Sequence, residues 1–270
     1  MVSGNVSAAA TEQTSLGFFE EPATSRLLEF DADFTPSGVV LQQMLNLRHN
    51  VMWPYRPDPT ILDPSAGTGV MGRCARMIWP EATIVGVEIR EEEAMKLEDR
   101  YDELIVGAFQ EVDLAKLVKR FGLFDIIVTN PPFGQWEDYW KIVLELVAEN
   151  GCVSLLGLDS WGQRSESGYD LFEQSPPTSQ YRVTGTINYR GGALNPKNGK
   201  PYGVDMRDYS WWTTKHDGLH RRGWHAENLP RLQSELRRWR LPTYPGCEPQ
   251  PFLDAIYDNV LSCMGEYLPC

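Results

Sequence analysis

The chain has no apolar run long enough to cross a bilayer, which excludes a helical membrane span. Its first residues show no basic patch followed by an apolar stretch, so no secretory leader is expected and the cytoplasm is the expected compartment. Five cysteines (Cys74, Cys152, Cys247, Cys263 and Cys270) contain no Cys-x-x-Cys pair. The odd number and wide spacing predict reduced thiols and no structural zinc, and no metal site is expected. Basic charge is scarce too, with 25 Lys and Arg against 37 Asp and Glu. A net charge of −12 excludes a uniformly basic nucleic-acid binder. No internal repeat is evident. What remains is a chain of 270 residues, 42% hydrophobic, long enough to bury a full core as one domain with appendages.

The scarce basic charge is unevenly placed. Residues 181–240 hold 12 Lys and Arg against 5 Asp and Glu, while the rest of the chain holds 13 against 32. A basic face on an acidic body can hold a phosphate backbone while limiting non-specific binding. Arg221, Arg222, Arg237 and Arg238 are the candidate contacts, with Lys197 and Lys200 in the 191–203 loop as the alternative. A plain solvated face is the competing reading.

Residues 1–16 are small and polar and predict a disordered tail. Thr35-Pro36 predicts a helix start, with Thr35 as N-cap and Pro36 in the first turn. Ile61–Leu62, Thr83–Val87, Glu103–Val106 and Asp125–Thr129 read as strands, with helical stretches between the first three. Lys141 to Glu149 reads as a helix ended by Asn150-Gly151, and Cys152 to Leu158 as the next strand. This alternation implies a parallel α/β sheet. Tyr181–Tyr189 and Val204–Thr213 are the expected closing strands. A helical, arginine-rich stretch near 228–240 and a last helix near 251–264 follow. The expected organisation is a catalytic domain over 17–214 and a basic C-terminal extension over 215–270 that contacts nucleic acid.

Two segments carry the chemistry. The first runs from the short strand Ile61-Leu62 through Asp63-Pro64-Ser65-Ala66-Gly67-Thr68-Gly69 into a helix over Val70 to Trp79, stopped by Pro80. Its glycines let the backbone approach a ligand closely. No Gly-Lys-Ser/Thr follows, so a nucleotide-triphosphate loop is excluded. The N-terminus of the following helix suits a carboxylate. Nineteen residues past Gly69, at the end of the next strand, stands Glu88; an acid at such a distance can bind ribose hydroxyls in a doubly wound sheet. The second segment, Asn130-Pro131-Pro132-Phe133, follows the apolar strand Phe124–Thr129. Proline cannot continue a central strand, so the chain leaves the sheet there. The Asn130 side chain and Pro131 carbonyl then offer two acceptors to a planar amine, and Phe133 a flat surface to the ring bearing it. Such a site suits an extruded base.

Together, Asp-Pro-Ser-Ala-Gly-Thr-Gly and Asn-Pro-Pro-Phe resemble the S-adenosylmethionine-dependent amino-methyltransferases, in particular the DNA adenine-N6 branch of phage and bacterial type. Phe34-Thr35-Pro36-Ser37 is similar to that family's N-terminal cofactor motif. Asn188-Tyr189-Arg190-Gly191-Gly192 and Asp208-Tyr209-Ser210-Trp211-Trp212 are similar to its last hairpin strands. The resemblance spans roughly 34–214 and is firmest over 60–134. It implies a Rossmann-like class I methyltransferase sheet, mostly parallel with a closing antiparallel hairpin and a small C-terminal helical appendage. It implies S-adenosylmethionine as cofactor, contacted by Thr35, Pro36, Asp63, Ser65, Gly67, Gly69, Glu88 and Asn130. Ile89, Ala108 and Phe109 would then neighbour the cofactor's adenine. Relatives commonly place an acid where Ala108 stands, so a backbone carbonyl or Gln110 would take its role.

In the implied reaction, Asn130 and the Pro131 carbonyl accept both hydrogens of adenine N6, favouring a pyramidal nitrogen and stabilising its developing charge. Pro132 holds the turn, and Phe133 stacks on the flipped base. Trp136, Tyr139 and Trp140 either wall the base pocket or form the buried face of the next helix. Trp211 and Trp212 must point to opposite faces of a strand. His216, His220 and His225 lie near arginines, which argues against a metal site. DNA is the expected partner, with RNA adenine as the nearest alternative substrate. Protein glutamine, cytosine N4 and a SAM-binding subunit of a larger complex are further alternatives. With no large separate recognition domain before the chain's end, recognition would come from the 160–180 and 191–203 loops and the basic C-terminal part, predicting a short or relaxed target site.

Overall fold

The computed structural model describes residues 35–51, 56–97, 99–161, 166–185, 187, 189, 206–216, 225–228 and 250–265. Among these residues, Gln250–Gly265 form the longest helix, of sixteen residues, and eight strands form one sheet. In chain order the elements are α1 (Ser37–Asn46), β1 (Thr60–Asp63), α2 (Val70–Ile78), β2 (Thr83–Glu88), α3 (Glu91–Ala94), β3 (Glu103–Val106), α4 (Leu114–Phe121), β4 (Phe124–Thr129), α5 (Trp136–Leu146), β5 (Val147–Leu158), α6 (Glu166–Gln174), β6 (Ser179–Arg182), β7 (Tyr209–Lys215), β8 (His225–Asn228) and α7 (Gln250–Gly265).

The strand order is β3-β2-β1-β4-β5-β7-β6-β8. β3, β2, β1, β4 and β5 run parallel, and β7 inserts antiparallel to both β5 and β6. Leu62 sits opposite Val85 on one side and Ile127 on the other. All three are buried, as the central strands of a sheet covered on both faces must be. The fold is the Rossmann-like sheet, mostly parallel with an antiparallel hairpin, that the sequence led one to expect.

The pattern of each helix fixes the face it buries. In α2, Val70, Met71, Cys74, Ala75 and Ile78 recur at helical spacing and are buried. α4 starts where the Asp113 carboxylate accepts from Lys116 N at 3.0 Å, and stops at Gly122, whose φ is 77°. On one face of the sheet, α1 and α2 share a core with Leu253 and Ile256 of α7. On the other, Trp136, Trp140 and Val143 of α5 pack with Leu117 and Leu171. α1 is buried along its whole length and carries a polar bolt. Gln43 Nε2 donates to Ser154 Oγ at 2.8 Å and Thr213 Oγ1 at 3.2 Å, tying the helix to β5 and β7.

Several sequence expectations are corrected. α1 begins at Ser37 with Pro36 as its N-cap, whose carbonyl accepts from Val39 N. Thr35 is therefore not the cap. The helix expected to reach Glu149 ends at Leu146, and Asn150-Gly151 lies inside β5. Asn150 takes φ 64°, Gly151 O accepts from His216 N, and the pairing with β4 shifts register there. An Asn-Gly pair serves a strand irregularity as readily as a helix end, because both use positive φ. The closing hairpin is shorter than expected, and β8 adds a strand parallel to β6. α7 packs on α1 within the main core. Residues 1–16, the bulk of the stretch near 228–240, and Lys197, Lys200, Arg221, Arg222, Arg237, Arg238 and His220 lie outside the described residues.

Candidate active site at the carboxyl edge of the sheet

Chain order reverses between β1 and β4, which lie side by side. At such a switch point the loops leaving the two strands diverge to opposite faces and open a crevice at their carboxyl ends. Both sequence motifs leave the sheet there: Pro64–Gly69 after β1, and Asn130–Gln135 after β4. Pro64–Thr68 and Asn130–Gln135 line one cavity of about 430 Å³ together with Glu88–Arg90 after β2, Gly107–Gln110 after β3, Thr35 and Tyr139, whereas Gly69 does not line it.

The glycine turn is shaped by its neighbours. Ala66 N donates to Val87 O at 2.8 Å, and Gly67 N donates to Glu88 Oε2 at 2.7 Å. Gly67 and Gly69 take φ of 56° and 72°, where a side chain is strained. A Cβ on Gly69 would also come within 2.6 Å of Arg100 Cδ. The Arg100 guanidinium donates to the Thr68 carbonyl and braces the turn from behind.

Asp63 departs from expectation. It is fully buried and does not line the cavity, nor does Pro36. Its Oδ2 accepts from Tyr101 Oη at 2.7 Å and its Oδ1 from Ser65 N at 3.2 Å. Burial pushes the carboxyl up to about 6 despite those hydrogen bonds. Asp63 thus shapes the turn from beneath, while Ser65, Gly67 and Thr68 face the cavity.

Among the described residues, Glu88 is the single carboxylate lining the cavity, and it is 3% exposed. Besides holding Gly67 N, it accepts at Oε1 from Arg90 N at 3.0 Å and from Arg90 Nε at 2.7 Å. Carboxylate oxygens have lone pairs for further donors, so these bonds leave room for hydroxyls. Ile89 and Ala108 line the adjoining end, with Ile89 45% exposed and ready to be covered. The Phe109 ring is buried 5.1 Å from that of Tyr139 and forms the floor. Gln110 Nε2 donates to Gln135 Oε1 at 2.7 Å, joining the β3 loop to the turn after the proline pair.

Asn130 follows the buried Thr129 at the end of β4, and Pro131 takes the chain out of the sheet. Asn130 Nδ2 donates to Thr35 Oγ1 at 3.0 Å. Phe133 is half-buried in a short turn over Phe133–Gln135, its ring 5.6 Å from Tyr209 and 6.1 Å from Tyr189. The Arg207 guanidinium lies 5.7 Å from the Phe133 and Tyr209 ring centres alike. One flank of Phe133 is therefore packed by Tyr209 of β7 together with Tyr189 and Arg207.

The aromatic residues after the motif divide. Trp136 and Trp140 stack at 5.1 Å in the core, whereas Tyr139 lines the cavity. Its hydroxyl hydrogen-bonds Ser65, and burial pushes it up to about 12. Trp211 and Trp212 occupy opposite faces of β7 and both are buried. His216 Nδ1 lies 3.2 Å from Ala148 O, and no cluster of metal-ligating residues occurs among the described residues. Tyr101, Arg90 and Arg100 were missed in the sequence, where nothing but position after a strand or turn distinguished them.

No family model matches this chain, and no curated protein matches it in sequence. Solved structures similar to it include the M protein of the type I restriction enzyme EcoKI, at 14% identity and a TM-score of 0.46, over 67% of this chain and 44% of that one. The chain thus spans less than half the length of that protein. A predicted O-methyltransferase from Agrobacterium tumefaciens is similar at 16% identity and a TM-score of 0.47, over 83% and 96% of the two chains. A precorrin-6y C5,15-methyltransferase from Geobacter metallireducens gives 16% identity and 0.43, over 65% and 85%. With TM-scores below 0.5 they carry nothing about substrate. What the chain has in its own strand order and pairing is a Rossmann-like α/β sheet, mostly parallel with an antiparallel hairpin.

Proposed function

We propose that this chain is an S-adenosylmethionine-dependent methyltransferase acting on the exocyclic N6 amine of adenine in DNA. The observation that carries the reading is the meeting of Asn130-Pro131-Pro132-Phe133 with the glycine turn and Glu88 in one cavity at the switch point.

The residues present fit the cofactor. Glu88 offers carboxylate oxygens for ribose hydroxyls at the end of β2. The start of α2 and the turn amides suit the cofactor's carboxylate. Ile89, Ala108 and the neighbouring loop give an apolar berth for adenine. Bound there, S-adenosylmethionine supplies an electrophilic methyl group on a sulfonium.

The chain's own part is to hold and polarise the acceptor. An adenine N6 lone pair is delocalised into its ring and is a poor nucleophile. Asn130 Oδ1 and the Pro131 carbonyl accept its two hydrogens, which favours a pyramidal nitrogen and stabilises the charge that develops on it. No low-pKa base is required: as the sulfonium is left a neutral thioether, the methylated nitrogen is cationic and strongly acidic, and gives its excess proton to water. Phe133, its other flank braced by Tyr209, stacks on the extruded base. Fixing nitrogen and methyl in line supplies much of the rate.

Methyl transfer from labelled S-adenosylmethionine to duplex DNA, single-stranded DNA, RNA and protein tests the reading. Label in N6-methyladenine of DNA is expected. Label in RNA or in glutamine would move the substrate class, and no label in any acceptor would overturn the activity. Asn130→Ala should lower transfer to DNA by roughly 100- to 1000-fold. Its affinity for S-adenosylhomocysteine, read by calorimetry, should stay within about threefold, since an acceptor for the substrate amine is lost rather than the cofactor pocket.

A further inference from the structure

The Asn130 amide has two chemically opposite ends, and the proposed reaction can use one of them. Its oxygen accepts from an amine, whereas its nitrogen donates and would oppose an amine hydrogen with another hydrogen. The terminal torsion of an asparagine is broad and two-fold, so backbone placement alone does not choose between them. The strand end and Pro131 fix where the amide is, not which way round it lies.

We propose that Thr35 is the positioning residue that makes this choice, holding Nδ2 so that Oδ1 faces the acceptor amine. Asn130 Nδ2 donates to Thr35 Oγ1 at 3.0 Å, across 95 residues of sequence. Thr35 is 3% exposed and lines the same cavity as Asn130. The bond is part-buried, and a hydrogen bond partly shielded from water holds a rotor better than an exposed one.

The hydroxyl is itself firmly held. Pro36, with φ −63°, starts α1 directly after it, and its carbonyl accepts from Val39 N at 3.0 Å. α1 is bolted through Gln43 to Ser154 of β5 and Thr213 of β7. β5 in turn pairs with β4, at whose end Asn130 stands. Thr35 and Asn130 therefore belong to one packed body, which holds Nδ2 before any substrate arrives, while Oδ1 is shielded from solvent in the same state. Thr35 acts here through Asn130, a role beyond the cofactor contact its sequence motif implied.

This rests on Asn130 being the amine acceptor, and the test separates the two. Thr35→Val keeps the shape and removes the hydroxyl, and Thr35→Ser restores it. Thr35→Val should lower kcat about five- to tenfold, the worth of one hydrogen bond. KM for DNA and affinity for S-adenosylhomocysteine should stay within about twofold, and Thr35→Ser should recover most of kcat. In the NMR spectrum of the enzyme without DNA, the Asn130 side-chain amide pair, assigned by its loss in Asn130→Ala, should shift in Thr35→Val and return in Thr35→Ser. An active wild type with unchanged kcat in Thr35→Val sinks the positioning role alone. So does a loss of cofactor affinity at constant kcat, which would mark a direct contact, or a Thr35→Ser variant as slow as Thr35→Val. A wild type that methylates no amine removes the acceptor reading and this role with it.

Discussion

Asp63 and Asn130 end neighbouring strands, yet the structure gives them opposite duties. Asn130 faces the cavity, while Asp63 turns inward to Tyr101 and Ser65 N. Burial has a measurable consequence for Asp63. In the folded chain it keeps its proton up to about pH 6, against 3.8 for an ordinary aspartate. Between those values the folded state binds more protons than the unfolded one, so this group's contribution to stability is full below about pH 3.8 and is lost as pH rises through 6. The change amounts to about 3 kcal/mol. Asp63→Asn removes the ionisation. The stability of wild type relative to Asp63→Asn should therefore fall between pH 4 and 7 when urea midpoints are compared, and a difference independent of pH would show that Asp63 ionises normally. Glu88→Ala acts differently, because Glu88 lines the cavity and also holds Gly67 N. It should weaken S-adenosylhomocysteine binding by at least tenfold in calorimetry, since a charge-assisted hydrogen bond and the turn geometry go together; normal affinity would mean the ribose lies elsewhere.

At the scale of elements, α1 matters more than its ten residues suggest. It is buried throughout and carries Thr35 to Asn130 through the bolt at Gln43. Gln43→Met roughly keeps volume but removes the donor to Ser154 and Thr213, which remain bonded to each other at 2.9 Å. The expected cost is about 1–2 kcal/mol in chemical denaturation, with a smaller loss of kcat than in Thr35→Val. A stability equal to wild type would show that the two hydroxyls satisfy one another without Gln43. Helix and strand identities were largely legible here. The buried face of α2 follows from apolar spacing and from the stop at Pro80, whereas α4, between the third and fourth strands, is not among the helices expected from sequence. The start of α1 and the path of 147–151 were not legible either. Thr-Pro and Asn-Gly each fit two local geometries, and hydrogen bonds to distant residues, Asn130 in one case and His216 in the other, chose between them.

At the scale of the molecule, an acidic chain is expected to grip an acidic polymer through a single basic region. Replacing Arg221, Arg222, Arg237 and Arg238 together by Gln should weaken DNA binding across sequences. It should also lower the slope of log K against log salt by up to about 3.6, if each arginine meets one phosphate. S-adenosylhomocysteine affinity should not change. An unaltered slope in titrations at several salt concentrations would show these arginines to be a solvated face, with DNA held elsewhere, for instance by Lys197 and Lys200.

The sheet class and the two motifs were legible in the chain alone. Strand hydrophobicity, glycines that need positive φ, and prolines that end a strand are local properties, and they are readable in a single chain. Tertiary structure alone decided which motif residues face the cavity. Asp63 and Ser65 are two residues apart, yet one lies beneath the turn and the other lines the site. Trp136 and Tyr139 share a helix, yet only Tyr139 reaches the cavity. Orientation at a strand end or helix start depends on partners far away in sequence, such as Tyr101 for Asp63 and Thr35 for Asn130. Those partners become neighbours once the parallel strands have paired and the helices have packed on both faces, so no local pattern encodes them.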